Sequence, residues 1–281
     1  MDGWESRRHN KAAFDYTIIR LGVASGTISG IEIDTAFFNG NEAPAISVEG
    51  CFSSNDEEVV AWGGERGGWE VILGVKNCRP SQRHAWKLDH PTGNLYTHVR
   101  LNMHPDGGIA RFRLYGKAVP ILPSDKTEVF DLAAAKNGGM PTSWSDQAFG
   151  TLTSNLLLPG RGPDMADGWE TARSRSEEHV DWVIVKLGTP GKVKNFVVDT
   201  AHFRGNYPEQ ARLAGMFCLN GGDPGEFEEG WRDLTVLVEC EADKEHELEC
   251  LNQRTVFTHV KLSIYPDGGV KRLRVFGVRA D

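Results

Sequence analysis

The chain contains the same pattern twice, and this constrains its fold more than any other feature. Asp2-Gly-Trp-Glu-Ser-Arg-Arg8 returns as Asp167-Gly-Trp-Glu-Thr-Ala-Arg173. Asp15-Tyr-Thr-Ile-Ile-Arg-Leu-Gly22 returns as Asp181-Trp-Val-Ile-Val-Lys-Leu-Gly188. Asp34-Thr-Ala-Phe-Phe-Asn-Gly-Asn41 returns as Asp199-Thr-Ala-His-Phe-Arg-Gly-Asn206. Three further pairs follow in the same order: Thr97–Leu101 with Thr258–Leu262, Pro105–Gly108 with Pro266–Gly269, and Arg111–Gly116 with Arg272–Gly277. A whole domain is duplicated. The 281 residues fit two domains of ordinary size.

The repeated segments alternate as strands do. Thr17–Leu21 and Val183–Leu187 are rich in β-branched residues, and Ile31–Asp34 and Phe196–Asp199 read as further strands. Thr97–Met103 and Ile109–Tyr115, joined by Pro-Asp-Gly-Gly, read as a hairpin. Helical periodicity is weak throughout. The expected fold is all-β: two jelly-roll β-sandwiches in tandem. Repeat 1 takes residues 1–120 and repeat 2 residues 121–281. Phe130–Ala166 has apolar runs that should pack as the opening of the second sandwich. Copy one has no counterpart, so the first sandwich is expected to lack its N-terminal strands.

Composition narrows the function. A net charge of -8 argues against non-specific nucleic-acid binding. An anionic small substrate then needs a local basic pocket. No apolar run approaches the roughly 18 residues of a bilayer span, and the first residues do not read as a signal peptide. Five cysteines without CxxC spacing read as reduced thiols in a cytoplasmic protein. GxSxG, Walker A, HExxH and zinc-finger patterns are all missing from the sequence.

The candidate residues lie in the repeated loops. Glu5 sits beside Arg8 and Glu170 beside Arg173. A carboxylate next to a guanidinium stays ionised, so each glutamate suits a base or a ureido contact; a surface salt bridge is the structural alternative. Asp34 and Asp199 close strands and either cap a turn or enter a site. Asn41 and Asn206 end the same motif. His202 and Arg204 replace Phe37 and Asn39, so the shared fold does not demand them, and the pair suits proton transfer and anion binding. His98 and His259 read as satisfied, half-buried histidines. Arg111/Arg113 and Arg272/Arg274 read as a solvated strand face or, alternatively, a carboxylate clamp or intersubunit contact.

Together with Ser145-Asp-Gln-Ala-Phe-Gly150 and Asn155-Leu-Leu-Leu-Pro-Gly-Arg-Gly162, these segments resemble the allantoicase (allantoate amidinohydrolase) family over nearly the whole chain. The resemblance implies hydrolysis of allantoate to ureidoglycolate and urea in purine catabolism, on galactose-binding-like jelly rolls. Family members carry a stretch ahead of the first Asp-Gly-Trp-Glu, which again points to an incomplete first sandwich. The expected roles are Arg173 or Arg204 for the substrate carboxylate, Glu170 or Asp199 as base, and His202 as acid. Asn206, Glu5, Arg8 and Asn41 are further substrate contacts. No cofactor is implied; a divalent metal is compatible, but no ligand set is identifiable. A homo-oligomer is expected. The competing readings are a non-catalytic jelly-roll binding module and an inactive pseudoenzyme.

Overall fold

The computed structural model describes residues 2–63, 67–176 and 178–280. The chain divides into two units, Met1–Val119 and Pro120–Asp281. Each is an antiparallel two-sheet sandwich, so the chain is all-β with two jelly rolls.

In the first unit one sheet runs Asp15–Arg20, His98–His104, Ala45–Cys51, Glu70–Asn77. The other runs Arg83–Lys87, Ser25–Asp34, Arg111–Val119. Alternate residues of both sheets meet in one core, where Ile33, Ile46, Val48, Val99 and Met103 are fully buried. Each such side chain contributes about 1.5–3 kcal/mol. A short helix, Asp56–Trp62, is capped by Asn55, whose side chain accepts the Glu58 N–H at 3.2 Å. Seven residues are too few for a clear periodic signal, and the sequence did not reveal it.

The second unit repeats the plan. Its longest strand, Asp181–Asp199, serves both sheets. Asp181–Lys186 pairs with Val256–Tyr265, and Gly191–Asp199 pairs with Arg272–Arg279. The two strands expected at Val183–Leu187 and Phe196–Asp199 are therefore one, bent where Gly188, Pro190 and Gly191 cluster. Phe130–Asp131 pairs with Phe276–Gly277, and Met140–Trp144 pairs with Val183–Lys186. Leu132, Leu156 and Leu157 enter the same core as Phe196 and Val260.

The expected hairpin is not one. His98–His104 pairs with Asp15–Arg20 and Ala45–Cys51, whereas Arg111–Val119 pairs with Ser25–Asp34. The Pro-Asp-Gly-Gly turn carries the chain from one sheet to the other. The same is true of Val256–Tyr265 and Arg272–Arg279, which share no pairing. Turn chemistry is the same for a hairpin and a crossover; the partner strands decide.

All five cysteines are free. Burial pushes the thiols of Cys51, Cys78 and Cys240 up to about 11, which leaves them unreactive. His98 and His259 are fully rather than half buried, at 2% and 1% exposure. Each ring faces the preceding threonine hydroxyl at 2.9 Å and an aspartate, Asp56 or Asp223, at 3.2 Å. Burial pulls both imidazoles below the ordinary value of 6.5. The folded chain thus favours neutral rings, and the unfolded chain takes up protons first as pH falls. Their stabilisation is complete above about pH 6.5 and drains away as pH falls through the folded values. Melting curves between pH 7 and 5 should fall less steeply for a His98→Gln/His259→Gln double variant than for the parent chain.

Candidate active site

Three of the repeated motifs converge on one rim of the second sandwich. Trp169 is fully buried and donates from its indole nitrogen to the Asp146 carbonyl at 2.9 Å. This anchors the two-residue strand Trp169–Glu170, which pairs with Gly269–Val270. Gly268 has φ +136°, and a Cβ there would lie 2.9 Å from the Asn206 carbonyl oxygen. Gly269 lies beneath the buried Phe203 ring, where a Cβ would come within 2.0 Å of the ring carbons. Its N–H donates to the Asn206 carbonyl at 2.7 Å. Asp-Gly-Trp-Glu, Asp-Thr-Ala-His-Phe-Arg-Gly-Asn and Pro-Asp-Gly-Gly are thus one packed unit.

The result of that packing is a carboxylate–amide pair. Asn206 Nδ2 donates to Glu170 Oε1 at 2.6 Å. Copy one repeats it: Asn41 Nδ2 donates to Glu5 Oε1 at 2.7 Å. There Arg8 turns aside to the Gly40 carbonyl at 2.6 Å.

In the second unit the pair opens on a cleft of about 450 Å³, lined also by Arg173, Arg175, Tyr207 and Asp267. Phe149, from the segment with no copy-one counterpart, contributes to the same wall. The volume suits a small ligand. Asp267 Oδ2 accepts the Ser174 N–H at 2.6 Å and so fixes the turn bearing both arginines. Asp106 holds the His9 N–H in the same way at 2.8 Å. Loss of this bond should loosen both guanidinium groups. Asp267→Ala is expected to raise KM for a carboxylate substrate about tenfold, with kcat less affected. Asp267→Asn keeps an accepting oxygen and should stay near the parent; equal damage from both variants would make Asp267 an acid–base group instead.

Of the residues expected from sequence, Glu170, Arg173 and Asn206 share this cleft, and Asp199, His202 and Arg204 do not line it. Asp199 is 1% exposed, with its carboxylate held in a fork by Arg161 at 2.8 and 2.9 Å and by the Ala201 N–H at 2.9 Å. It anchors the loop rather than facing solvent. His202 stands at φ +68°, like Phe37 at φ +69° in copy one, so the loop keeps its shape whatever the side chain. Its Nε2 meets the Gly162 carbonyl at 3.1 Å. Arg204, 77% exposed, pairs with Asp243 at 3.2 Å. The His202 backbone N–H, at 2.9 Å, holds the Asp243 carboxyl below its usual range.

The strand arginines are not a solvated face in copy two. Arg272 is 2% exposed, donating to the Gly160 carbonyl and to Asp167 Oδ2, both at 2.9 Å. Lys271, fully buried, reaches the Asp164 carbonyl, and burial lowers its proton affinity. Arg274 donates to the Leu158 carbonyl at 2.6 Å. Together they clamp the loop that delivers Arg161 and Asp-Gly-Trp-Glu. In copy one Arg111 reaches Asp2, and Arg113 pairs with Glu32 at 2.6 Å.

Arg161 and Arg175 had no role from sequence. Arg175 lies two residues beyond the repeated motif. For Arg161 a signal existed: Arg83 faces Asp34 across the ladder, whereas Glu245 faces Asp199 at the equivalent position. A charge reversed beside a retained aspartate calls for a cation from elsewhere. Among the described residues no three His, Cys, Asp or Glu side chains are grouped to hold a metal ion. No helix among them is long and apolar enough to cross a membrane.

Comparison with known proteins places this geometry in a family. The allantoicase repeat model matches residues 1–119 and 130–280. An allantoicase of Neurospora crassa is 65% identical over 99% of this chain and 78% of that protein. An allantoicase of Saccharomyces cerevisiae is 47% identical over 98% of this chain and 80% of that protein. A crystal structure of allantoicase from Saccharomyces cerevisiae, 44% identical, superposes with a TM-score of 0.79 over 98% of this chain and 81% of that one. The duplicated pattern, the two jelly rolls and the near-complete matches have one reading: the chain belongs to the allantoicase family.

Proposed function

We propose that the chain is an allantoicase, hydrolysing allantoate to ureidoglycolate and urea in the cleft of the second unit. The observation that carries the site assignment is the Glu170–Asn206 pair in a cleft that Arg173 and Arg175 also line. Allantoate presents one carboxylate and two ureido groups on one carbon. A guanidinium matches the carboxylate with paired, charge-assisted hydrogen bonds. Asn206 occupies Glu170 Oε1, which leaves Oε2 to take a proton from water.

In the proposed step, the water oxygen bonds to the central carbon as the bond to one ureido nitrogen breaks. The proton lost by water passes through Glu170 to that nitrogen, and urea leaves neutral. One carboxylate therefore serves as base and then as acid. His202 is not needed in the second role, and its contact with Gly162 keeps it beside the loop that holds Asp199. The proposal includes no cofactor, and it includes a cytoplasmic, self-associating enzyme; the five free thiols fit a reducing compartment.

Incubating the purified chain with allantoate tests this. Urea and ureidoglycolate should form in equal amounts. Saturable allantoate binding without urea would make the chain a pseudoenzyme, and neither binding nor turnover would remove the proposal. The non-catalytic binding module draws no support from relatives named for the enzyme.

A further inference from the structure

In the second unit, the turn at residues 148–151 is tied to the Glu170 backbone on both sides. The Ala148 N–H donates to the Glu170 carbonyl at 2.9 Å. The Glu170 N–H in turn donates to Thr151 Oγ1 at 3.0 Å, and that hydroxyl donates to the Ala148 carbonyl at 2.9 Å. Just before the turn, Asp146 Oδ2 accepts the Ala172 N–H at 2.7 Å, and the Asp146 carbonyl accepts the Trp169 indole N–H at 2.9 Å. Thr151 is buried. The tip of the turn and the backbone that carries the Glu170 carboxylate are therefore one rigid piece.

Phe149 holds that tip against two penalties. Its φ is +54° and that of Gly150 is +74°, and the Thr151 N–H closes the turn on the Ala148 carbonyl at 3.0 Å. This is the φ pair of a type I′ turn, whose first central position favours Asn, Asp or Gly. A bulky side chain there is strained. The residue is also 72% exposed, so folding recovers little from burying its ring. Strain of this kind concentrates at ligand sites, and Phe149 lines the cleft together with Glu170, Arg173 and Arg175. Of the side chains described there, only those of Phe149 and Pro266 carry no polar atom.

We propose that Phe149 determines which substrates the cleft accepts, its ring being the platform for a planar ureido group. The role presupposes that the cleft is where allantoate is hydrolysed. A ureido group is flat and conjugated, so it lies on a ring face while its edge remains free to hydrogen bond. The arginines take the carboxylate, and Glu170 is left to the reacting carbon. Binding then covers apolar area that folding leaves in water. Because the turn is clamped to Glu170, the ring also sets how far the ureido plane lies from that carboxylate. The substrate class is a carboxylate with an N-carbamoyl group on the adjacent carbon. A simple hydroxy acid lacks the flat group that the ring selects.

Phe149→Asn tests it, because asparagine tolerates the positive φ of the turn. Tm should rise by about 2 °C or more as the strain is relieved. KM for allantoate should rise at least about tenfold while kcat stays within about threefold of the parent, the signature of lost uniform binding. Phe149→Tyr restores the ring and should restore most of the affinity. Inhibition by N-carbamoylglycine, which has one ureido group and one carboxylate, should weaken in parallel in Phe149→Asn. Inhibition by glycolate, which has the carboxylate without the ureido group, should hold. An unchanged KM in Phe149→Asn overturns the proposal and leaves the reaction standing if the parent releases urea; a parent without urea release overturns both. A lowered Tm alongside the lost affinity would make Phe149 a structural residue, and equal weakening of both inhibitors would assign the ring to the carboxylate. Either result also overturns the proposal.

Discussion

Glu170→Gln should lower kcat for urea release from allantoate by about two to four orders of magnitude, the span that a positioned proton-transfer group supplies. The substitution is nearly isosteric. Asn206 Nδ2 keeps an oxygen to donate to, in place of Glu170 Oε1 at 2.6 Å. Packing is retained, so Tm should hardly move and any loss belongs to chemistry. KM should change little, because Arg173 and Arg175 remain to meet the carboxylate. The paired variant Asn206→Asp sharpens the test. It places a second carboxylate against Glu170, and a like charge raises proton affinity. The base is then protonated at pH values where it is free in the parent, so the acid limb of the kcat profile should move to higher pH. Glu5→Gln in the first unit is the control for location. Its pair with Asn41 is equally short, but Arg8 is spent on the Gly40 carbonyl, and activity should survive. A Glu170→Gln enzyme within threefold of the parent would remove the carboxylate from the mechanism.

What could be read in advance followed from the repeat. Two copies of the same motifs in the same order named the loops, and those loops do pack together, because Phe203 closes over Gly269 and Phe38 over Gly108. Strand existence was equally open to reading, since branched residues alternate in both copies. Strand partnership was not. Pro-Asp-Gly-Gly gives the same local signal whether it joins neighbours or crosses between sheets, and only the long-range ladders separate the two. Burial was also hidden. Asp199 and Glu170 look alike as acidic residues in repeated loops, but one ends a strand inside the molecule and the other lies in an open cleft. The buried Asp199 carboxylate is held by Arg161, which belongs to a segment present in one copy only. The repeated motifs do not mark it; only the reversed charge, Arg83 in one copy and Glu245 in the other, points to it.

That contrast makes Arg161 the second decisive position. Arg161→Ala should destabilise the second unit by about 2–3 kcal/mol. This is somewhat less than the roughly 3–5 kcal/mol for breaking a fully buried pair, because the guanidinium is 49% exposed while the Asp199 side chain is 1% exposed. The cost arises from Asp199, which stays buried and loses the cation at 2.8 Å. Glu245 then becomes a burden, since it faces Asp199 across the ladder and loses the Arg161 charge that lay beside both carboxylates. Thermal unfolding should fall by roughly 4–12 °C for a unit of this size. Adding Asp199→Asn should recover much of the loss, because the amide removes the uncompensated charge yet still accepts the Ala201 N–H that shapes the loop. The same double variant separates the two roles open to Asp199. An anchoring residue can lose its charge together with its partner and leave urea release within a few-fold of the parent. A catalytic base cannot: activity would then fall by orders of magnitude even as stability returned, and the cleft around Glu170 would no longer account for the reaction.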